Sequence, residues 1–93
     1  MLITFKNEEQ TYETWLSEHP NGFVFNHFGG SLTGYNIIHV AKCYSLHRAA
    51  DAGKRTVIEK VCSTELEPLE ERVQELRGRS YSYCKLCAKY IDG

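Results

Sequence analysis

Two prolines, one methionine and one tryptophan are spread over 93 residues, and no long uninterrupted apolar run is present. Without a run of about twenty apolar residues, the pattern offers no membrane-spanning helix. With no low-complexity tract, no Pro/Ser linker and no internal repeat, it predicts a single domain over residues 1–93 and excludes a repeat array. A positive excess is also missing, since eleven Lys and Arg stand against twelve Asp and Glu. The isoelectric point near 6.4 is unlike that of a strongly basic, non-specific nucleic-acid binder. The opening residues, Met1-Leu2-Ile3-Thr4-Phe5-Lys6-Asn7-Glu8, show no basic stretch leading into a long apolar one. The expected location is therefore cytoplasmic and reducing, with no membrane partner.

What the sequence does have is four cysteines, Cys43, Cys62, Cys84 and Cys87, the last two forming a Cys-x2-Cys knuckle. Two disulfides are arithmetically allowed, but in a reducing compartment this spacing favours metal binding or redox chemistry. A thioredoxin-like reading needs a strand before the motif and a long helix after it, and six residues follow Cys87. A chain of this length buries only roughly 60 to 65% of the surface that its unfolded form exposes. A bound ion would supply the missing cross-link, because structural zinc in finger peptides binds with about 10 to 16 kcal/mol. Loss of the metal is expected to unfold the chain.

The hydrophobic pattern predicts the elements. Leu2 to Phe5 reads as a strand, and Asn7 as the cap of a helix from about Glu8 to Glu18 that buries Tyr12, Trp15 and Leu16. His19-Pro20-Asn21-Gly22 stops that helix. Phe23 to Phe28 and Tyr35 to His39 read as a hairpin joined by the flexible Gly29 to Gly34 segment. A short helix lined by Leu46, Ala49 and Ala50 and ended by Gly53 follows, then a strand from Arg55 to Cys62. Ser63 or Thr64 opens the last helix, which tolerates Pro68 in its first turn, aligns Leu66, Leu69, Val73 and Leu76, and stops at Gly78. Tyr81-Ser82-Tyr83 then leads as an extended segment into the knuckle. The expected class is α+β: a small zinc-stabilised domain with a short antiparallel sheet, an N-terminal helix and a helix before the C-terminal knuckle.

Five residues compete for the four positions around one structural zinc ion. His39 and Cys43, four apart, pair with Cys84 and Cys87 in a two-plus-two site, each local pair already carrying part of the ordering cost. Cys62 stands alone at a strand end and reads as a small buried hydrophobe. It is the alternative ligand, replacing His39 in a four-cysteine site. His19, His27 and His47 have no partner at ligand spacing and read as surface or turn residues.

The order Phe23-Val24-Phe25-Asn26, His39-x3-Cys43, a strand at Val57 to Val61, a Ser/Thr-led helix and Tyr83-Cys84-Lys85-Leu86-Cys87 resembles the metal-binding domain of Ada-type DNA repair proteins. It is most similar to relatives with a His-x3-Cys first pair that occur beside nuclease and DNA-uptake modules. The resemblance covers residues 22–88, leaving 1–21 as an N-terminal strand and helix extension. It implies a zinc-binding fold that works with DNA. The Ada first pair is Cys-x3-Cys, and its first cysteine accepts a methyl group. His39 stands at that position here, and a zinc-bound imidazole is no substitute for a thiolate nucleophile. The knuckle is also preceded by Tyr83 where the family has proline.

Four protein ligands close the zinc shell, which is the structural arrangement, and no carboxylate stands at general-base spacing from His39. The chain is therefore expected not to be an enzyme. The residual chemistry would be alkyl transfer to a zinc thiolate at Cys43, Cys84 or Cys87. Residues 21–60 hold Lys42, Arg48, Lys54, Arg55 and Lys60 against Asp51 and Glu59, and residues 79–93 hold Arg79, Lys85 and Lys89 against Asp92. Closure of the zinc site would gather Lys42, Arg48, Arg79 and Lys85 for phosphate contact, with Tyr83 or Tyr81 to stack on a base. The leading expectation is a non-catalytic zinc module accessory to DNA recognition or processing. The alternative is a protein-interaction adaptor of a regulatory or mobile-element system, docking through Trp15, Phe23 and Phe28 or through the acidic last helix.

Overall fold

The computed structural model describes residues 2–27, 36–47, 49, 52–78 and 81–85. The expectations placed on Phe28, the Gly29 to Gly34 connection, Tyr35, Arg48, Ala50, Arg79 and Cys87 lie outside these residues. In chain order the described elements are β1 (Leu2–Phe5), α1 (Glu9–Glu18), β2 (Phe23–His27), β3 (Asn36–Val40), a 3-10 turn (Tyr44–Leu46), β4 (Lys60–Ser63), α2 (Leu66–Arg77) and β5 (Ser82–Tyr83). The α+β class and both helices agree with the sequence pattern.

The strands form one sheet in the order β1-β4-β2-β3-β5. Its first four strands are antiparallel, as expected, and β2 and β3 form the anticipated hairpin. β5 joins the far edge of β3 in parallel, which makes the sheet mixed. The segment set apart as an extension, residues 1–21, supplies the edge strand β1 and the helix α1 to the same sheet and core.

Alternation along the strands sorts the side chains onto two faces. Phe25, Ile38 and Val61 lie on one face, where Leu69 and Val73 of α2 cover them. Leu66 and Leu76, the ends of the predicted stripe, are half-buried against the same cluster. Val24 and Cys62 lie on the other face, packed with Phe5 and with Tyr12 and Leu16 of α1. The rings of Phe5 and Tyr12 meet edge to face, 5.8 Å between centroids. Burial pushes the Tyr12 phenol pKa well above its usual range. The helices therefore sandwich the sheet, and the metal-ligand candidates share the α1 side.

Two predicted boundaries move for identifiable reasons. Asn7 does not cap α1 with its side chain; its φ is 54°, and its N–H donates to the Thr56 carbonyl at 2.7 Å. The adjacent Glu8 N–H donates to the Thr56 hydroxyl at 2.8 Å, so a residue 48 positions away satisfies the helix entry. The strand expected from Arg55 begins only at Lys60, because the preceding loop is held by α1. The Glu9 carboxylate accepts the N–H groups of Gly53 and Arg55, each at 2.8 Å, and Glu13 accepts from the Arg55 guanidinium at 2.7 Å. Val57, expected within that strand, is 58% exposed. The expected helix after Lys42 is the 3-10 turn, with Leu46 buried. The last helix starts at Leu66, and Ser63 ends β4 while its hydroxyl accepts the Glu65 N–H at 3.1 Å. Gly78, with φ 60°, closes α2 as expected.

His27, read from sequence as a surface or turn residue, is instead buried, 3% exposed. It faces Asn36 across the hairpin, and Arg77 at the end of α2 reaches both: Nε donates to Asn36 Oδ1 at 2.9 Å, and a terminal NH2 contacts His27 Nδ1 at 3.1 Å. Guanidinium only donates, so Nδ1 accepts and the ring proton sits on Nε2, facing Glu59 at 3.5 Å. Burial, followed by the Arg77 charge, lowers the His27 pKa.

Gly22 joins α1 to β2 where no side chain fits. A Cβ there would lie 2.8 Å from the Trp15 ring and 3.1 Å from the carbonyls of His19 and Ser63. Gly22→Ala is expected to destabilise the fold by about 1 to 3 kcal/mol, the usual range for overpacking, read as a lower denaturation midpoint at unchanged slope.

Candidate metal centre

Three of the predicted ligands come together. One donor atom each from His39, Cys43 and Cys84 lies within 4.8 Å of the others, all three residues are buried, and the group could hold one metal ion. The two sulfurs are 3.7 Å apart. Cys43 is 3%, Cys84 8% and His39 1% exposed, within a cluster that includes Val40, Ala41 and Leu46.

His39 lies on β3, and both cysteines are tied to that strand by backbone hydrogen bonds. His39 is its fourth residue and projects to the α1 face beside Val24 of β2. After Val40 the chain reverses through Ala41 and Lys42, and the Cys43 N–H donates back to the Val40 carbonyl at 2.8 Å. Gly22 holds this reversal from below, its carbonyl accepting the Ala41 N–H at 2.8 Å. His47 holds it from above, its Nε2 donating to the Ala41 carbonyl at 2.9 Å. Cys84 arrives from the other direction. Parallel pairing sets Tyr83 against Ile38, and the Cys84 N–H donates to the Ile38 carbonyl at 2.9 Å. Since Tyr83 packs on the α2 face, the next side chain turns to the α1 face, where Cys43 waits.

Cys62 is not in this group. The register places Ile3 opposite Cys62, Cys62 opposite Val24 and Val24 opposite His39, one row across four strands. Two strand spacings, roughly 10 Å, therefore separate the Cys62 backbone from that of His39, with Val24 between them. Cys62 is fully buried, and burial pushes its thiol pKa up, the behaviour of an inert core cysteine.

The residues expected to gather at a nucleic-acid surface are only partly assembled among those described. Lys42 and Lys85 are exposed, each next to a cysteine of the group. The Tyr83 hydroxyl donates to Glu70 of α2, and its half-buried ring packs on the α2 face, edge to face with Tyr81. That ring is thus turned away from the metal side. Sequence pattern missed Tyr44, which follows Cys43 directly and is 76% exposed. Trp15 and Phe23, the expected apolar docking residues, are half-buried against the core.

No protein-family model matches this chain, and no match is found among curated proteins or solved structures.

Burial, and secondarily the Lys60 charge, lowers the His39 pKa to about 4. At neutral pH the ring is therefore uncharged, the form that ligates a metal. In the unfolded chain the same ring takes up a proton near about 6.5. The folded value is the lower one, so between these limits the unfolded state binds more protons and stability falls as the pH drops. In the presence of a chelator, the thermal midpoint is expected to fall on acidification from about pH 7 to about pH 5. The fall should be smaller in His39→Gln, leaving the His27 contribution of the same sign.

Proposed function

We propose that the chain is a non-catalytic module built around one structural zinc ion held by His39, Cys43, Cys84 and Cys87. The observation that carries this reading is the 3.7 Å separation of the Cys43 and Cys84 sulfurs. Two thiolates on a tetrahedral zinc with Zn–S bonds of about 2.3 Å stand about 3.8 Å apart. Cys-x2-Cys spacing makes Cys87 the fourth ligand, and the resulting closed shell is that of a structural site. Zinc suits this mixed sulfur and imidazole donor set.

The expected outcome is equimolar zinc in protein purified without added metal, and a large drop in thermal midpoint on chelation. Cys84→Ser and Cys87→Ser should lose the metal, whereas Cys62→Ala should keep it and lose only the core packing of one small side chain. Zinc loss in Cys62→Ala would overturn the ligand set.

The function then resides on the surface that the ion organises, and the reading best supported is an accessory role in DNA recognition or processing. Two features support it: the order of motifs resembles Ada-type metal-binding domains, and exposed Lys42 and Lys85 each adjoin one of the two cysteines in sequence. The described residues 36–47 and 81–85 contain no Asp or Glu. Exposed Tyr44 takes the stacking role that Tyr83, held by Glu70, is poorly placed to fill. The expected result is salt-sensitive DNA binding in a gel-shift series, weakened several-fold by Lys42→Gln with Lys85→Gln and separately by Tyr44→Ala, with Tyr44→Phe retaining it. Absence of binding at low salt would sink the DNA role and favour a protein partner at the same exposed Tyr44.

A further inference from the structure

We infer that Cys43 and Cys84 are also a modification site, at which a hydroperoxide converts the metal clasp into a disulfide joining the same two segments. This rests on the metal reading above. The two sulfurs are already in contact at 3.7 Å although 41 residues separate them in sequence. A disulfide requires an approach to about 2.05 Å, a change within reach of side-chain rotation and small shifts of the turn. Both backbones are anchored to β3, Cys43 by its N–H to Val40 and Cys84 by its N–H to Ile38, which holds the two sulfurs side by side in the folded chain.

The chemistry balances within the pair. Cys84 is the more exposed, at 8% against 3%, and its thiolate attacks one peroxide oxygen. The O–O bond breaks, Cys84 becomes a sulfenic acid, and the departing hydroxide is protonated to water. The Cys43 thiolate then attacks the Cys84 sulfur; the S–S bond forms, the S–O bond breaks, and the second oxygen leaves as hydroxide, protonated in turn. The two sulfurs lose two electrons, and one hydrogen peroxide becomes two waters. With both thiolates consumed, two of the four proposed ligands, His39 and Cys87, remain, and the ion is released. Cys62 provides an internal contrast. It is equally a thiol, but it is sealed between Ile3 and Val24 and outside the group of His39, Cys43 and Cys84, so it stays reduced.

The test treats zinc-loaded full-length protein with hydrogen peroxide and follows metal release with a chromogenic chelator, while non-reducing peptide mapping identifies the bond. The expected result is equimolar zinc released in step with a Cys43–Cys84-linked peptide, Cys62 still alkylated as a thiol, and reversal by a dithiol. Cys62→Ser should behave as the wild type, whereas Cys43→Ser should give no such peptide. A bond between Cys84 and Cys87, a bond through Cys62, or zinc release with no bond would each overturn the assignment. A chain that binds zinc and keeps it under peroxide overturns this proposal alone; one that never holds zinc overturns the metal reading and the release step with it.

Discussion

The hydrogen bonds that β3 makes along both of its edges are the constraint on which the rest depends. On one edge the pairing with β2 points His39 to the α1 face; on the other, parallel pairing carries the chain past Tyr83 and delivers Cys84 to the same face. The reversal after Val40 completes the triangle with Cys43. None of the three donors is placed by a loop of its own. Each position is fixed by backbone bonds to one strand, and this is why buried, chemically demanding side chains can be held within a few ångströms of one another.

The two faces of the sheet divide the labour. The α2 side is a packed apolar layer of Phe25, Ile38, Val61, Leu69 and Val73, bounded by the His27, Asn36 and Arg77 polar contacts. The α1 side combines an aromatic layer of Phe5 and Tyr12 with the sulfur and imidazole cluster. Gly22 links these parts: it admits the Trp15 ring against its backbone and offers its carbonyl to the turn that carries Cys43. The packing of α1 and the turn that carries Cys43 thus meet at one glycine.

Much of this was legible in local pattern. The hairpin, both helices and the grouping of His39 with Cys43 announce themselves because each is specified by residues within a few positions of one another. What was not legible depends on distant partners. Thr56 satisfies the entry of α1 in place of Asn7, Glu9 and Glu13 hold the loop that delays β4, and Arg77 makes a buried residue of His27 across 50 positions. Tyr83 was misjudged for the same reason, since its engagement by Glu70 follows from the docking of α2 and not from the knuckle sequence. Cys62 was separable in principle: it, Val24 and His39 fall in one cross-strand row, but only the register reveals that Val24 stands between them.

The strand order also sets a timetable for the chain. The central hairpin joins neighbours in sequence, whereas β1 must wait for β4, and β3 for β5, before either outer edge is paired. Cys43 leaves the ribosome 41 residues ahead of Cys84, and His39 earlier still. The nascent domain therefore carries His39 and Cys43, with one edge of β3 still open, until β5 arrives.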